Sequence, residues 1–152
     1  MALMAGAVIL AAGACSSADE SSGPGDQTSA EAGTGSAGAP PTVTLDGGEV
    51  GGSFDQQTCQ WEHDEGARQL EYTATSGSDR FALDAEIVLA DPPKLDDFAL
   101  TTGTDTWKAS GTAREQATIT VDGDRYRVSA EVSEGHGPRT STLAATFTCA
   151  GN

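Results

Sequence analysis

Three cysteines carry the chemistry that is most visible in this sequence. Cys15 follows a short apolar run, residues 7–14, and precedes a polar tract that begins at Ser16. The apolar run is shorter than the ~20 residues that a helix needs to cross a bilayer, but it suits the core of a secretory signal peptide. The small residues Gly13 and Ala14 leave room for a signal peptidase. The thiol of Cys15 is therefore predicted to carry acyl chains as the first residue of the mature protein.

The predicted signal peptide, residues 1–14, departs from the usual lipoprotein pattern in two ways. Such signals carry Leu three residues before the cysteine, where this chain has Ala12, and they open with a basic residue, whereas the first basic residue here is Arg68. We expect a natural start codon upstream of Met1. The alternative is an ordinary secreted protein, cut near Ala14, in which the thiol is incidental.

The other two cysteines are predicted to form a disulfide. An odd number of cysteines in an exported chain leaves one over for another role. If Cys15 is acylated, Cys59 and Cys149 remain as a pair in an oxidising compartment, where a disulfide is the default. Closing a loop of roughly 90 residues would add about 4 to 5 kcal/mol at most to the free energy of unfolding. For a domain of about 110 residues this is a large share of the stability.

Metal and catalytic sites find little support in the sequence. Cys59 and His63 have a C-x3-H spacing, but a disulfide-bonded cysteine cannot act as a thiolate ligand. Asp122-Gly123-Asp124 fits a hairpin turn better than a calcium loop, since no bidentate glutamate follows it as in an EF-hand. The chain has no G-x-S-x-G elbow, Walker loop or H-E-x-x-H motif. We predict no catalytic residue, metal or cofactor. Convergence of two or more of His63, His136 and nearby acids in one cleft would favour an enzyme instead.

The charge of the chain limits its partners. The formal net charge is −15, and −11 of it falls on residues 43–152, with no basic cluster. Such a field repels phosphate backbones and anionic lipid headgroups. We therefore predict no nucleic-acid binding, and we interpret the acidic surface as one that keeps a crowded domain soluble.

Composition divides the chain behind Cys15 into a linker and one domain. Residues 16–42 are almost entirely Ser, Gly, Ala, Pro and Thr with scattered acids, so residues 15–42 are predicted to be a disordered tether. Thr28, Thr34 and Thr42 are candidate sites of O-glycosylation, although a plain linker explains the same composition. Residues 43–152 form the predicted domain.

Apolar and polar residues alternate throughout this domain, most cleanly over residues 81–89. Alternation is the pattern of half-buried strands, and Asp122-Gly123 between two such runs predicts a hairpin with positive φ at both central positions. The fold class is predicted to be all-β or β-rich, with about seven to nine antiparallel strands in a sandwich or a half-open barrel. Only residues 94–100 are predicted to be helical. Cys59 and Trp61 share a strand face, so we expect Trp61 to pack near the disulfide.

Several short motifs occur in an order that is similar to a known family. They are Val43-Thr44-Leu45-Asp46-Gly47, Pro92-Pro93, Ser110-Gly111-Thr112, Asp122-Gly123 with Tyr126 beyond it, and a closing Phe147-Thr148-Cys149. Together with the Cys15 signal and the linker, this order resembles the LpqH family, the nineteen-kilodalton lipoprotein antigens of mycobacteria and related actinobacteria.

The resemblance implies a surface-exposed, acylated lipoprotein of the cell envelope. We expect it to be a non-enzymatic monomer, lipid-anchored on the extracytoplasmic face of the cell membrane. Members of the family are immunodominant antigens whose lipid is recognised by host Toll-like receptor 2, and some are O-glycosylated on linker threonines. Here Thr28, Thr34 and Thr42 are isolated rather than clustered.

A second hypothesis is a small envelope module that binds a lipid or an apolar small molecule. Four Phe, two Trp and two Tyr must supply most of the core, which leaves little apolar surface for a ligand. A continuous apolar cavity of roughly several hundred Å³ would favour this hypothesis.

Overall fold

Strands make up most of the part of the chain that the structure describes. The computed structural model describes residues 33–64, 66–78 and 80–151. The strands are β1 (Gly33–Ala37), β2 (Thr42–Leu45), β3 (Gly48–Glu49), β4 (Gln56–Asp64), β5 (Ala67–Thr75), β6 (Phe81–Leu89), β7 (Lys94–Thr102), β8 (Asp105–Lys108), β9 (Thr118–Asp122), β10 (Arg125–Glu134) and β11 (Thr140–Ala150). One short helix, α1 (Gly111–Glu115), follows β8. The predicted fold class, all-β with at most one short helix, is confirmed.

The eleven strands form one antiparallel sheet that closes on itself. Their order is β3-β2-β11-β1-β4-β5-β6-β7-β8-β10-β9, and β10 also pairs with β11. The β10–β11 pairing makes a ring from which β2–β3 and β9 branch. Both seams of the ring are thin, since β1 shares only two residue pairs with β11, and β8 only two with β10. The result is closer to the predicted half-open barrel than to a sandwich of two separate sheets.

The core lies inside this ring and follows from the alternation of the long strands. β4, β5, β6 and β7 have nine residues each and pair along most of their length. Every second residue points inward, because side chains alternate across a strand. The largest fully buried side chains are Tyr72, Phe98, Phe147, Leu70, Leu83, Ile87, Leu100 and Leu143.

The helix predicted for residues 94–100 is wrong, because these residues lie in β7. The ladder pairs Glu86 with Asp97 but Ile87 with Leu95, so that Asp96 is an extra residue in a β-bulge. A bulge shifts the alternation by one position. Leu95 and Phe98 are therefore both buried although they are three residues apart, a spacing that otherwise indicates a helix.

The helix that does form begins at Ser110. Its hydroxyl accepts a hydrogen bond from the Ala113 backbone N–H at 3.2 Å, which is the usual N-cap arrangement. The guanidinium of Arg114 donates to the carbonyl oxygen of Asp96 in the β7 bulge. Helix and bulge are thus joined directly.

Two tight turns differ in a way that the sequence pattern does not show. Asp46 and Gly47 have φ of 50° and 78°, as a type I′ turn requires. In the β9–β10 hairpin Asp122 pairs with Arg125, so the central residues are Gly123 and Asp124. Among the described non-glycine residues only Asp46 has positive φ, whereas Gly123 has 56°. The prediction of two positive φ values at this hairpin is wrong, because glycine at the first central position gives a type II′ turn.

The sheet begins ten residues before the predicted domain boundary at residue 43, since β1 starts at Gly33 inside the predicted linker. An ideal Cβ on Gly35 would come within 2.6 Å of both the Ala150 carbonyl oxygen and Trp61 Nε1. The small residues that predict a linker are therefore the ones that fit between β4 and β11. Thr34 in β1 and Thr42 in β2 are both exposed.

The predicted disulfide is present and joins the two strands that flank β1. Cys59 of β4 and Cys149 of β11 are bonded, and neither side chain is exposed. Since β1 pairs with these neighbours over only a few residues, the covalent bond is the strongest link across this seam.

We expect the double substitution Cys59→Ala, Cys149→Ala to lower the free energy of unfolding by about 2 to 5 kcal/mol, because the unfolded chain regains the entropy of a long open loop. The midpoint of thermal unfolding should fall by more than ~10 °C. Circular dichroism melting of both proteins checks this, with reduced wild type as the control that should match the variant. An unchanged melting curve would contradict the role of the bond.

Candidate functional site

The residues predicted to carry modification divide into two groups. Cys15 and Thr28 lie outside the described residues. Thr34 and Thr42 lie on the first two strands with exposed side chains, so their hydroxyl groups are accessible. Whether either threonine carries a sugar stays a prediction.

Aromatic rings continue the buried face of the disulfide. Tyr72, the cross-strand neighbour of Cys59, stacks on Phe147 at 4.0 Å between ring centroids. Phe147 in turn stacks on Tyr126 at 5.5 Å, and Tyr126 lies 6.4 Å from Trp61. Burial raises the pKa of the Tyr72 hydroxyl far above its ordinary value. The stack is a hydrophobic seam between β4, β5, β10 and β11.

Trp61 lies at the open end of this seam. It is almost fully buried, as expected from the face that it shares with Cys59, and the guanidinium of Arg68 lies 3.9 Å from its ring centroid. Such a cation–π contact stabilises the closure by about 0.5 to 2 kcal/mol. The indole Nε1 is buried without a hydrogen-bond acceptor and faces Gly35. This arrangement supports packing rather than catalysis.

Four carboxylates gather on the outer face of β5, β6 and β7. They are Glu71, Asp84, Glu86 and Asp97, and Glu86 lies directly across from both Glu71 and Asp97. Burial, followed by the neighbouring negative charges, raises the pKa of Asp84 and of Glu86. Lys108 offsets part of this charge through its Nζ, which lies 2.9 Å from Asp97 Oδ2.

These carboxylates do not form a metal centre. Within the described parts of the chain, no group of three or more His, Cys, Asp or Glu side chains has the arrangement of a metal site. His63 on β4 and His136 in the β10–β11 turn are both exposed. The structure does not bring either histidine to this cluster.

A groove of about 760 Å³ lies between the start of β7, helix α1 and the start of β9. We call it the β7–β9 groove. Its apolar lining includes Pro92, Pro93, Leu95, Ala117 and Ile119, whereas its charged lining consists of Lys94, Asp96, Arg114 and Glu115. The groove is therefore not the continuous apolar cavity that a lipid-binding module would need. The sequence pattern misses it, because its walls come from three segments that only the topology brings together.

Among the residues that the structure describes, no helix is both long and apolar enough to span a bilayer.

We expect Glu86→Gln to stabilise the fold at neutral pH. A raised pKa means that folding disfavours the ionised carboxylate, so the cost is present at pH 7 and is lost as the pH falls below the ordinary range of a glutamate. Removing one charge from two cross-strand carboxylate pairs should add roughly 0.2 to 1 kcal/mol to the free energy of unfolding.

Urea unfolding at pH 7 and at pH 3 checks this prediction. Glu131→Gln, which removes an exposed carboxylate on β10, is the charge-matched control. Equal effects of the two substitutions at pH 7, or a gain from Glu86→Gln that persists at pH 3, would show that the cluster carries no repulsion.

Comparison with known proteins places this fold in a family. The model of the family described as Mycobacterium 19 kDa lipoprotein antigen matches residues 34–149, whereas comparison with curated proteins gives no match. The matched segment begins within β1 and ends at Cys149, so it contains all but the two end residues of the ring and both cysteines of the disulfide. It covers well over half of the chain and confirms the resemblance to the LpqH family. The chain belongs to the Mycobacterium 19 kDa lipoprotein antigen family.

Proposed function

We propose that this protein is a non-enzymatic lipoprotein of the cell envelope, held on the extracytoplasmic face of the cell membrane by acyl chains on Cys15. The observation that carries the proposal is the position of Cys15, directly after a signal-like apolar run, in a chain of a lipoprotein antigen family. The family supports the general role, and the position of the cysteine supports the means of attachment.

The physical strength of such an anchor depends on the number of acyl chains. Each buried methylene contributes about 0.8 kcal/mol, so a single chain gives only marginal, reversible binding. Two chains on the thioether and a third on the freed amine of Cys15 would hold the protein permanently. The same lipid is what Toll-like receptor 2 would recognise, so anchoring and host recognition would depend on one modification.

The properties of the described domain fit a role in which it is displayed at the cell surface and carries out no reaction. The domain carries a formal charge of −11 over residues 43–152, which opposes contact with anionic headgroups. Its buried aromatic side chains, Tyr72, Tyr126, Phe147 and Trp61, pack against one another around the disulfide seam. Its exposed histidines are not joined to the carboxylate cluster. These features support an antigenic or structural role without catalysis.

A second candidate function is the binding of a lipid or an apolar small molecule. The volume of the β7–β9 groove favours it, since ligand sites commonly measure roughly 300 to 1,000 Å³. The charged residues Lys94, Asp96, Arg114 and Glu115 in its lining weigh against an apolar ligand. We therefore rank lipid binding below the lipoprotein role.

We expect Cys15→Ala to move the protein from the membrane fraction to the culture medium, because the substitution removes the acceptor of the acyl chains. Cell fractionation with metabolic fatty-acid labelling measures both location and modification. The melting curve of the released protein should equal that of the wild-type domain.

The matched control is the Cys59→Ala, Cys149→Ala variant, which should keep both its label and its membrane location while losing stability. Wild-type protein found in the medium without acyl chains would reduce the proposal to that of an ordinary secreted antigen.

A further inference from the structure

The ring of strands has an opening at the β7–β9 groove. On the outer edge of β7, strand β8 pairs only with residues 99–102, which leaves residues 94–98 without a strand partner on that side. Strand β9 pairs with β10 alone among the described strands. The β7 side is partly satisfied, because the Phe98 carbonyl accepts from the Ala109 N–H and the Asp96 carbonyl accepts from Arg114 of helix α1. The free strand edge at the groove is therefore that of β9, which contributes Thr118 and Ile119 to the lining.

The inward face of β9 is covered only in part, since Ile119 is half-buried against the core and Val121 is exposed. Ile119 and Val121 lie opposite Val128 and Tyr126, both of which are buried in the core. Val121 is 41% exposed, more than any other large apolar side chain in the described parts of the chain.

The hydrogen-bonding pattern of β9 indicates which kind of molecule could bind to its free edge. Asp122 and Arg125 close a two-residue turn, so they form a hydrogen-bonded pair, and the pairs alternate along the ladder. Ile119 and Val121 belong to the pairs that do not exchange hydrogen bonds with β10. Their N–H and C=O groups therefore point away from β10, where an extended peptide could bind them and an acyl chain could not. Ile119 lines the groove, and Val121 lies beyond its lining on the same strand edge.

The net charge of the protein favours one kind of peptide partner over others. Arg114 is held by Asp96, at 3.7 Å to the carboxylate and through the Asp96 carbonyl, so its charge is offset locally. The charged lining of the groove is balanced, with Lys94 and Arg114 against Asp96 and Glu115, and Asp122 ends β9. The preference for a basic segment therefore comes from the net charge of the protein, −15, which also repels a second copy of the chain.

We propose that the β7–β9 groove binds an extended, net basic polypeptide segment, which adds as a strand to the free edge of β9 and covers Ile119 and Val121 with its own alternating apolar side chains. The groove holds about 760 Å³, enough for a short strand. This interaction surface does not depend on the lipid anchor, so the failure of either proposal leaves the other standing.

The test uses the purified full chain and a synthetic nine-residue probe of alternating residues, capped Lys-Val-Thr-Val-Lys-Val-Thr-Val-Lys. Isothermal titration and two-dimensional NMR should show binding, with shifts confined to β9 and the first half of β7. A probe with N-methyl groups on alternate residues loses the backbone N–H donors along one edge. It should bind at least tenfold more weakly when that edge is the one that pairs with β9. Replacing its three lysines with glutamates should weaken binding by a similar factor.

Val121→Pro tests the edge from the side of the protein. It removes an N–H that points away from β10, so binding should fall about tenfold while the melting curve stays near that of wild type, as edge strands tolerate proline. The matched control Val121→Thr keeps the N–H and should keep the binding. If Val121→Pro fails to fold, the N-methylated probe still decides the matter.

Three results would overturn the proposal. The first is no binding of the basic probe at millimolar concentration, and the second is equal binding of its N-methylated form. The third is a concentration-dependent dimer in analytical ultracentrifugation that Val121→Pro abolishes, which would assign the edge to a second copy of the chain.

Discussion

The disulfide between Cys59 and Cys149 is the constraint on which the rest of the fold depends. It joins β4 to β11, whereas the strand between them, β1, shares only two residue pairs with β11. By holding β11 against β4, the bond sets Phe147 on Tyr72 and Tyr126 beside Trp61. Because the closed loop is long, most of the stabilisation arises from the entropy removed from the unfolded chain. The aromatic stack then adds directional packing to a closure that is already covalent.

The sequence predicts a strand correctly where buried and exposed side chains alternate without interruption. It fails where the backbone has a bulge or where the strand has no large side chains. β6 buries Leu83, Ala85 and Ile87 in strict alternation, so its pattern predicts it correctly. In β7 the extra residue Asp96 shifts the alternation and imitates a helix. β1 consists of small residues and buries no large side chain. Only glycine fits at position 35, because a Cβ there would collide with Trp61. This composition is the same as that of a linker, so the sequence predicts a linker instead of a strand.

The candidate sites also differ in whether the sequence predicts them. A disulfide can be predicted by counting cysteines, because pairing is a property of residue type and compartment. The β7–β9 groove could not be predicted from the sequence. It exists because β7 and β9 do not pair with each other, and strand pairing is a property of the topology. Asp46 shows an intermediate case: its turn is visible in the sequence, but its hydrogen bonds to Ser141 and to the Thr142 N–H at 2.8 Å join segments far apart in the chain and lower its pKa.

The distribution of charge connects stability with presentation. Burial and, after it, the neighbouring carboxylates raise the pKa of Asp84 and of Glu86, so the ionised forms of these two groups oppose folding at neutral pH. A small domain can retain such a cluster when a covalent closure contributes several kcal/mol elsewhere, which is the order of magnitude of this disulfide. An acidic exterior also hinders association between copies, because like charges meet at any shared edge. A strand edge such as β9, which would otherwise promote aggregation, can therefore stay open on this protein.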